Sequence, residues 1–369
     1  MKRSEILEEI RNELKKSVSD KEAEVVVFSD DMDVEQINNI VKISLSSKAI
    51  GIRKDRKDFY NMQDNEAAFE GWALIIYTFF AKKRKFKIQL ALKEEALEKI
   101  QDFLEMGKYL GQRGHYYRFL YRALKFSEQY SWFELEKQLG DIVTKFENYL
   151  KSGQIFENNY PDGKKEPSTE EREDENHIED LFSDISWQES VEGKKLCENF
   201  GRPIFRQLPV GLFAEKKRTE NAVFTGKKSA IDLWTCNDNS ITIFELKWKN
   251  KMIGIITELF FYCNYMRDMY GVGENISKNN FVSHKFDVRR IRNKEKYRGY
   301  YNLCGRKFNK INGYMLCDNG NLHQAITENV LKEMNNAKFD DDETTISYGV
   351  IEYTAEKDVL KIGNVITYA

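Results

Sequence analysis

Three charged residues, Asp232, Glu245 and Lys247, have the types and spacing that could do chemistry. Asp232 interrupts the apolar run 231–233, and the other two alternate with apolar residues in 243–247. Two carboxylates held side by side in a half-buried place repel each other unless a cation neutralises them. Oxygen ligands suit Mg²⁺, with Mn²⁺ as a substitute, and such an ion could bridge a phosphate oxygen and an attacking hydroxide. A neighbouring lysine could stabilise phosphate charge or help to position and deprotonate the water.

A turn sequence places these residues on two adjacent strands. The β-branched, apolar runs around Asp232 and Glu245 each predict a strand, and the sequence CNDN at 236–239 is typical of a tight turn. A hairpin would bring the two acids together. Because side chains alternate along a strand, Glu245 and Lys247 are expected on one face and their apolar neighbours on the other.

The elements around this hairpin follow a definite order. Periodicity predicts a helix, three strands, a long apolar helix and a further strand. Their ranges are 190–200, then 204–213, 229–235 and 240–248, then 252–270 and 311–317. A helix at 322–334 and a hairpin formed by 345–353 and 359–367 follow.

An acid on a hairpin followed by Glu-x-Lys on the next strand, in this order of elements, resembles the PD-(D/E)xK nuclease superfamily over roughly residues 187–317. The resemblance implies an α/β fold with a restriction endonuclease-like core: a helix, a three-stranded hairpin meander, a helix and a strand. It implies that Asp232, Glu245 and Lys247 are catalytic and that the two acids bind the metal. Many members add an acid on the first helix. Glu192 is the best-placed match, as a further catalytic and metal-binding residue, and Glu189 and Glu198 are its rivals.

The helix after the lysine carries a partial match to a second family pattern. One branch, related to recombination-type exonucleases, has Gln-x-x-x-Tyr there, and this chain has Glu258 and Tyr262 at that spacing. Residues four apart share a helical face. Tyr262 is therefore a candidate for binding nucleic acid, although Glu258 in place of glutamine departs from the pattern that holds the DNA backbone. The proline of the family motif is also replaced, by Ile231.

The motif residues also have an ordinary structural interpretation. An Asp and a Glu-x-Lys at this separation often occur by chance, as a surface acid and a solvated strand edge. For Glu192 the corresponding alternative is a solvated acid on a helix. The helices and strands around the motif favour the catalytic interpretation.

Positive charge is concentrated on either side of the predicted hairpin. Residues 284–310 interleave Lys and Arg with Tyr and Phe, which suits phosphates and exposed bases. A second basic cluster lies beside Asp232. The candidates for binding nucleic acid are Lys216, Lys217, Arg218, Lys227, Lys228, Arg289, Arg290, Arg292, Lys294 and Arg298. The structural alternative is a solvated charged loop above packed tyrosines.

Residues 1–150 predict a helix-rich α+β domain that recognises a target or a partner protein. Periodicity predicts strands at 24–28 and 86–92, and helices at 33–45, 67–80, 94–110 and, as a pair, across 115–150. Residues 151–185 are rich in Asp and Glu and contain two prolines, which predicts an exposed acidic linker. Residues 186–369 then form the predicted nuclease domain.

The composition is that of a globular protein, with 369 residues of which 41% are hydrophobic and 32% charged. The formal net charge of −2 conceals the local basic clusters. No membrane partner is expected, because no segment is long and apolar enough to span a bilayer and no signal peptide is evident. Five widely spaced cysteines favour a reducing cytoplasm over a disulfide framework or a thiolate zinc site.

Together these patterns predict a Mg²⁺-dependent nuclease that hydrolyses phosphodiester bonds, with DNA as the favoured partner. Restriction or antiphage defence is the setting that the resemblance implies. One alternative is a catalytically inactive member of the same fold that binds nucleic acid or protein. A second alternative, a helical scaffold without nucleic acid, leaves the basic residues unexplained. A homodimer is the arrangement that cutting both strands of a duplex would favour.

Overall fold

The computed structural model describes residues 1–52, 59–106, 113–161, 175–224, 229–273, 281–282, 299–303, 305–339, 343–356 and 359–367. The protein is mixed α/β. The described helices are α1 Arg3–Leu14, α2 Asp20–Glu24, α3 Phe69–Ile76, α4 Lys82–Arg84, α5 Glu94–Met106, α6 Gly114–Gln129, α7 Lys137–Leu150, α8 Glu175–Ser183, α9 Ile185–Glu189, α10 Val191–Phe200, α11 Gly254–Tyr270 and α12 Glu328–Met334. The described strands are β1 Met32–Ile37, β2 Ile40–Leu45, β3 Lys87–Leu92, β4 Phe133–Leu135, β5 Phe156–Asn158, β6 Phe205–Pro209, β7 Leu212–Ala214, β8 Ala222–Phe224, β9 Ala230–Cys236, β10 Ser240–Lys247, β11 Phe281–Val282, β12 Lys310–Asp318, β13 Thr345–Glu356 and β14 Val359–Thr367.

The chain divides into two compact units. The first comprises Met1–Ser152, Met252–Phe260 and His323–Phe339, and the second comprises Gly153–Lys251, Phe261–Leu322 and Asp340–Ala369. The division after Ser152 lies close to the boundary predicted after residue 150. The first unit also takes two segments from late in the chain, which the linear division predicted from the sequence does not include.

The first unit is built on a four-stranded sheet in the order β1-β2-β3-β4, in which only β1 and β2 are antiparallel. The helix predicted at 33–45 is instead the β1–β2 hairpin. Asn38 turns the chain with a φ of 55°, a left-handed conformation that asparagine tolerates well. The strand predicted at 24–28 is also absent: α2 ends at Glu24, and no strand is assigned to the four residues after it.

The first of the two late segments, Met252–Phe260, packs on α3 and α6. Gly71 on α3 lies so close to Ile253 that a Cβ atom at Gly71 would come within 2.3 Å of the Ile253 side chain. The ring of Phe260 lies 5.3 Å from that of Phe126. Residues far apart in sequence therefore share one core, which local periodicity does not reveal.

Helix α6 is buried on almost every side, and its arginines are part of the interior. Arg122 donates to both carboxylate oxygens of Glu70, at 2.6 and 2.7 Å, and Thr257 donates to the same carboxylate. Such a buried pair needs several hydrogen bonds to compensate for the lost hydration. Core packing therefore accounts for this basic, aromatic helix.

The second unit is built on a six-stranded sheet in the order β14-β13-β12-β10-β9-β6. Strands β6, β9 and β10 pair antiparallel, whereas β10, β12 and β13 run parallel and β14 returns antiparallel. Helix α10 precedes β6, and α11 joins β10 to β12, as a parallel connection requires. A second, four-stranded sheet has the order β11-β5-β7-β8. The single strand predicted at 204–213 is therefore two strands, β6 in the first sheet and β7 in the second.

One face of the six-stranded sheet is covered by α8, α9 and α10. Phe182 and Phe200 on these helices pack on Phe244, Leu246 and Tyr353 of the sheet. Each such buried side chain contributes about 1.5–3 kcal/mol by leaving water. Residues 162–174 of the predicted linker lie outside the described residues. The rest of that segment contains β5 and α8, so the acidic composition conceals a helix that packs on the sheet.

No helix in the described part of the chain combines the length and apolar character needed to cross a membrane.

Candidate active site

The hairpin that carries Asp232 and Glu245 closes on an asparagine. The side-chain amide oxygen of Asn237, Oδ1, accepts hydrogen bonds from the backbone N–H groups of Asn239 and Ser240, at 2.9 and 2.8 Å. This side chain thereby satisfies the turn that the sequence predicts. Because the turn fixes the register, the pairing of β9 with β10 is defined from Cys236 onward.

Strands β9 and β10 part at Asp232. Their pairing ends with Phe244 opposite Leu233, whereas β9 remains paired with β6 as far as Ala230. The Asp232 carboxylate reaches across this opening and accepts the backbone N–H of Leu246 at 2.9 Å. The Asp232 side chain thus provides a hydrogen-bond acceptor for a backbone N–H of β10 that lies beyond the last residue paired with β9.

Glu245 and Lys247 share one face of β10 and are hydrogen-bonded to each other. Lys247 Nζ lies 3.1 Å from Glu245 Oε1, and each residue is only 4% exposed. Phe244 and Leu246 point to the opposite face, into the core beneath α8 and α10. The structure therefore places an acid and a lysine together in the interior, next to the strand that carries Asp232.

The neighbour of Lys247 on β12 is a neutral thiol. Lys247 is paired with Cys317, and burial raises the pKa of that thiol to about 12, although the Lys247 charge works in the opposite direction. Cys317 therefore adds no negative charge beside Lys247 at neutral pH.

The donor atoms at this position fit a hard divalent cation. Within the described ranges, no three His, Cys, Asp or Glu side chains are grouped so as to hold a metal ion by themselves. Mg²⁺, however, is commonly held by only one or two carboxylates, together with water and substrate phosphate. Asp232 and Glu245, on adjacent strands, supply such a pair.

Glu192 is placed by contacts with β14. Its carboxylate accepts from Lys195 Nζ at 2.7 Å and from the backbone N–H of Ile362 at 3.1 Å. These two bonds, the Lys195 bond first, lower the pKa of Glu192. One of its oxygens is thus engaged by Lys195 on α10 and the other by the outer strand β14, and its assignment to the metal stays a prediction. Its rivals Glu189 and Glu198 are exposed.

Two residues that the sequence did not single out contact the end of β10. The Glu175 carboxylate accepts the backbone N–H of Trp248 at 3.3 Å, and the Tyr353 hydroxyl donates to the carbonyl of Lys247 at 3.4 Å. A helical signal for Glu175 was available, since Glu175, Ile178 and Phe182 recur at intervals of three and four. No local signal could link Tyr353 to Lys247, because their proximity depends on the order of strands in the sheet.

The helix pattern after the lysine is buried. Glu258 and Tyr262 on α11 are 7% and 6% exposed, and the Tyr262 ring lies 5.5 Å from that of Phe261. The proposed contact of Tyr262 with nucleic acid stays a prediction.

The basic candidates are only partly described. Lys216 and Arg218 are exposed after β7, and Lys217 packs over the ring of Tyr160 at 4.3 Å while donating to the carbonyl of that residue. The other predicted residues, Lys227, Lys228, Arg289, Arg290, Arg292, Lys294 and Arg298, lie outside the described residues. Further along the same basic stretch, Arg306 bonds Asp238 in the hairpin turn at 2.8 Å.

Comparison of the chain with protein-family models, with curated proteins and with solved structures finds no match.

Proposed function

We propose that this protein is a divalent-cation-dependent nuclease that hydrolyses phosphodiester bonds, with DNA as its substrate. The observation that carries the proposal is the Glu245–Lys247 pair on β10 next to the point where Asp232 bridges β9 and β10. Two acids on adjacent strands, one of them bonded to a lysine, are groups of the kind that bind a hard cation and stabilise charge on a phosphate. What supports the resemblance to PD-(D/E)xK nucleases is that, with β7, β8 and β11 assigned to the second sheet, α10 is followed by the antiparallel strands β6, β9 and β10, by α11, and by β12 parallel to β10.

Each residue has a role that follows from its position. Asp232 and Glu245 would hold the cation, and the bond from Leu246 N–H fixes the orientation of the Asp232 carboxylate. A bound Mg²⁺ supplies Lewis acidity and lowers the pKa of water. Lys247 would stabilise negative charge that develops on the phosphate, because its ammonium lies 3.1 Å from the carboxylate of Glu245, which would hold the cation.

Cleavage assays on single- and double-stranded DNA and RNA, with Mg²⁺, Mn²⁺ or EDTA, test this proposal. We expect products from DNA with either metal, none with EDTA, and a fall of about 10³-fold or more for Glu245→Gln, since the residue acts with its partners as a unit. Asp184→Asn is the control, because it neutralises a carboxylate that is hydrogen-bonded away from the candidate site, to the backbone N–H of Trp187 at the start of α9. Full activity of Glu245→Gln would refute the assignment.

The alternative is a protein of the same fold that binds nucleic acid or protein without cutting. The observation in its favour is that Glu245 and Lys247 are buried and bonded to each other, as in a structural ion pair. Binding without a metal-dependent product on any of these substrates would favour this alternative. Restriction or antiphage defence remains the proposed setting for the nuclease.

A further inference from the structure

A single peptide unit at the end of β10 is held at both of its polar atoms by side chains. The carbonyl of Lys247 and the N–H of Trp248 belong to the same peptide, and they bond Tyr353 and Glu175 respectively. A buried peptide at a strand end needs partners for both groups. These partners come from two elements that are distant in sequence from β10.

Helix α8 brings Glu175 to this peptide through its apolar face. Ile178 and Phe182 lie in the core beneath the sheet, and Glu175 lies on the same face, one and two turns before them. The next acid on this face, Glu179, accepts from Gln207 on β6 at 2.6 Å. One helix therefore contacts both β6 and the end of β10 through carboxylates.

The parallel strands bring Tyr353 to the same place. Lys247 is paired with Cys317 on β12, and Tyr353 on β13 lies opposite Asp318, the next residue of β12. The Tyr353 ring packs edge-on against Phe182 of α8 at 5.5 Å. Burial raises the pKa of Tyr353, and the nearby charges of Glu175 and Lys247 influence it in opposite directions, so the hydroxyl remains a donor at neutral pH.

We propose that Glu175 and Tyr353 form a peptide clamp that sets the position of Lys247 relative to Glu245. The strand ends directly after the clamped peptide, since Lys249 has a φ of 55°. In this clamp Glu175 acts as a hydrogen-bond acceptor, and its negative charge is not required. The role of the clamp in catalysis rests on the proposed nuclease function, whereas its effect on the peptide and on Lys247 does not.

Amide hydrogen exchange of the full-length protein tests the clamp without reference to activity. We expect Glu175→Ala to raise the exchange rate of the Trp248 amide by about tenfold or more, and Glu175→Gln, whose amide oxygen still accepts, to leave it within about threefold. Asp184→Ala is the matched control, because it removes a carboxylate acceptor from the Trp187 amide and should leave Trp248 unchanged. Unchanged exchange at Trp248 in Glu175→Ala overturns the clamp.

The position of Lys247 can be read by NMR at constant pH, from the NOE between its Cε protons and the Cγ protons of Glu245. Tyr353→Phe removes the donor without changing charge. We expect this NOE to be lost, because Lys247 moves away from Glu245 when its carbonyl no longer accepts the Tyr353 hydroxyl. Tyr314→Phe is the control, since Tyr314 packs in the same core against Phe200 and Phe244. An unchanged NOE in Tyr353→Phe means that the hydroxyl does not position Lys247.

Steady-state cleavage then connects the clamp to the proposed function. We expect Glu175→Ala and Tyr353→Phe to lower kcat by about ten- to hundredfold with KM nearly unchanged, since small displacements of a catalytic group have effects of this size. Glu175→Gln should restore most of kcat. Equal losses in Glu175→Gln and Glu175→Ala would assign Glu175 a role through its charge and overturn the clamp. If the wild-type protein cleaves no nucleic acid, the nuclease proposal is wrong. The amide-exchange and NMR measurements would still test the clamp in that case.

Discussion

The Asp232 carboxylate accepts the backbone N–H of Leu246 at 2.9 Å, at the point where β9 leaves β10 and continues beside β6. Asp232 therefore completes the strand pairing, and under the proposed function it would also give an oxygen to a cation. Substitutions can separate these tasks, because asparagine retains an accepting oxygen but not the charge.

We expect Asp232→Asn to unfold at nearly the wild-type urea concentration, and Asp232→Ala to lose about 1–3 kcal/mol by leaving the Leu246 N–H without its acceptor. Both variants should lose Mn²⁺ binding measured by titration calorimetry. Wild-type Mn²⁺ affinity in Asp232→Asn would remove Asp232 from the metal site.

The Glu245–Lys247 pair predicts a stability effect that depends on the metal. Lys247→Met leaves a buried carboxylate without its cation, a change that costs about 3–5 kcal/mol in comparable buried pairs. We expect a loss of this size in EDTA and a smaller one with Mg²⁺, because a bound cation would neutralise the carboxylate and stabilise the folded state by mass action.

Urea unfolding of wild type, Glu245→Gln, Lys247→Met and the double variant, each with EDTA or Mg²⁺, measures this dependence. The double variant should recover part of the loss, since the two residues interact directly. Equal losses with and without Mg²⁺ would favour the purely structural ion pair.

The lowered pKa of Glu192 predicts a pH-dependent contribution to stability. Its Lys195 partner, followed by the Ile362 N–H, favours the charged carboxylate, so the pKa lies below the ordinary value of 4.5. A carboxyl with a depressed pKa stabilises the fold above its unfolded pKa, and this contribution is lost as the pH falls through the folded pKa. The advantage of wild type over Glu192→Gln should therefore be present above about pH 4.5 and vanish at lower pH.

Thermal unfolding of both proteins between pH 3 and 7 would measure this difference. We also expect Glu192→Gln to retain Mn²⁺ affinity, because both oxygens of Glu192 are already engaged near β14. A clear loss of affinity would instead return Glu192 to the metal site that the family resemblance implies.

The basic stretch predicts a measurable dependence of DNA binding on salt. Neutralising Arg289, Arg290 and Arg292 to glutamine should weaken binding and reduce the slope of log K against log salt by about one unit for each lost phosphate contact. A matched triple neutralisation at Lys145, Lys338 and Lys361, which are exposed elsewhere on the two units, controls for net charge. Equal slopes in both triple variants would show that the three arginines do not contact phosphates.

The elements around the hairpin were predictable because their signals are local. Alternation of apolar and charged residues in β10 correctly predicted which side chains face the core, and the asparagine-rich turn correctly predicted the hairpin. The β1–β2 hairpin was predicted as a helix, although Val34, Val41 and Ile43 alternate into the core and Asn38 marks its turn. The apolar residues of such a short segment fit both the helical and the strand periodicity, and the turn-forming asparagine is the signal that favours the hairpin.

The remaining contacts of the candidate site depend on relationships that no local pattern contains. Tyr353 reaches Lys247 only because β13 lies two strands from β10 with a particular register. Glu175 was hidden in an acidic composition that favoured a linker. The same composition hid the ion pair between Glu179 and Arg206, whose guanidinium Nη2 atom lies 2.9 Å from the carboxylate.

The first unit is completed by Met252–Phe260 and His323–Phe339, which come from either side of β12 in the chain. A fragment ending at Ser152 would lack the helical segments that cover Gly71 and Phe126. To study the two units separately, point substitutions would therefore be more useful than truncation. Each unit is built from segments that are separated in the sequence. A single crossover between genes could therefore not transfer either unit whole.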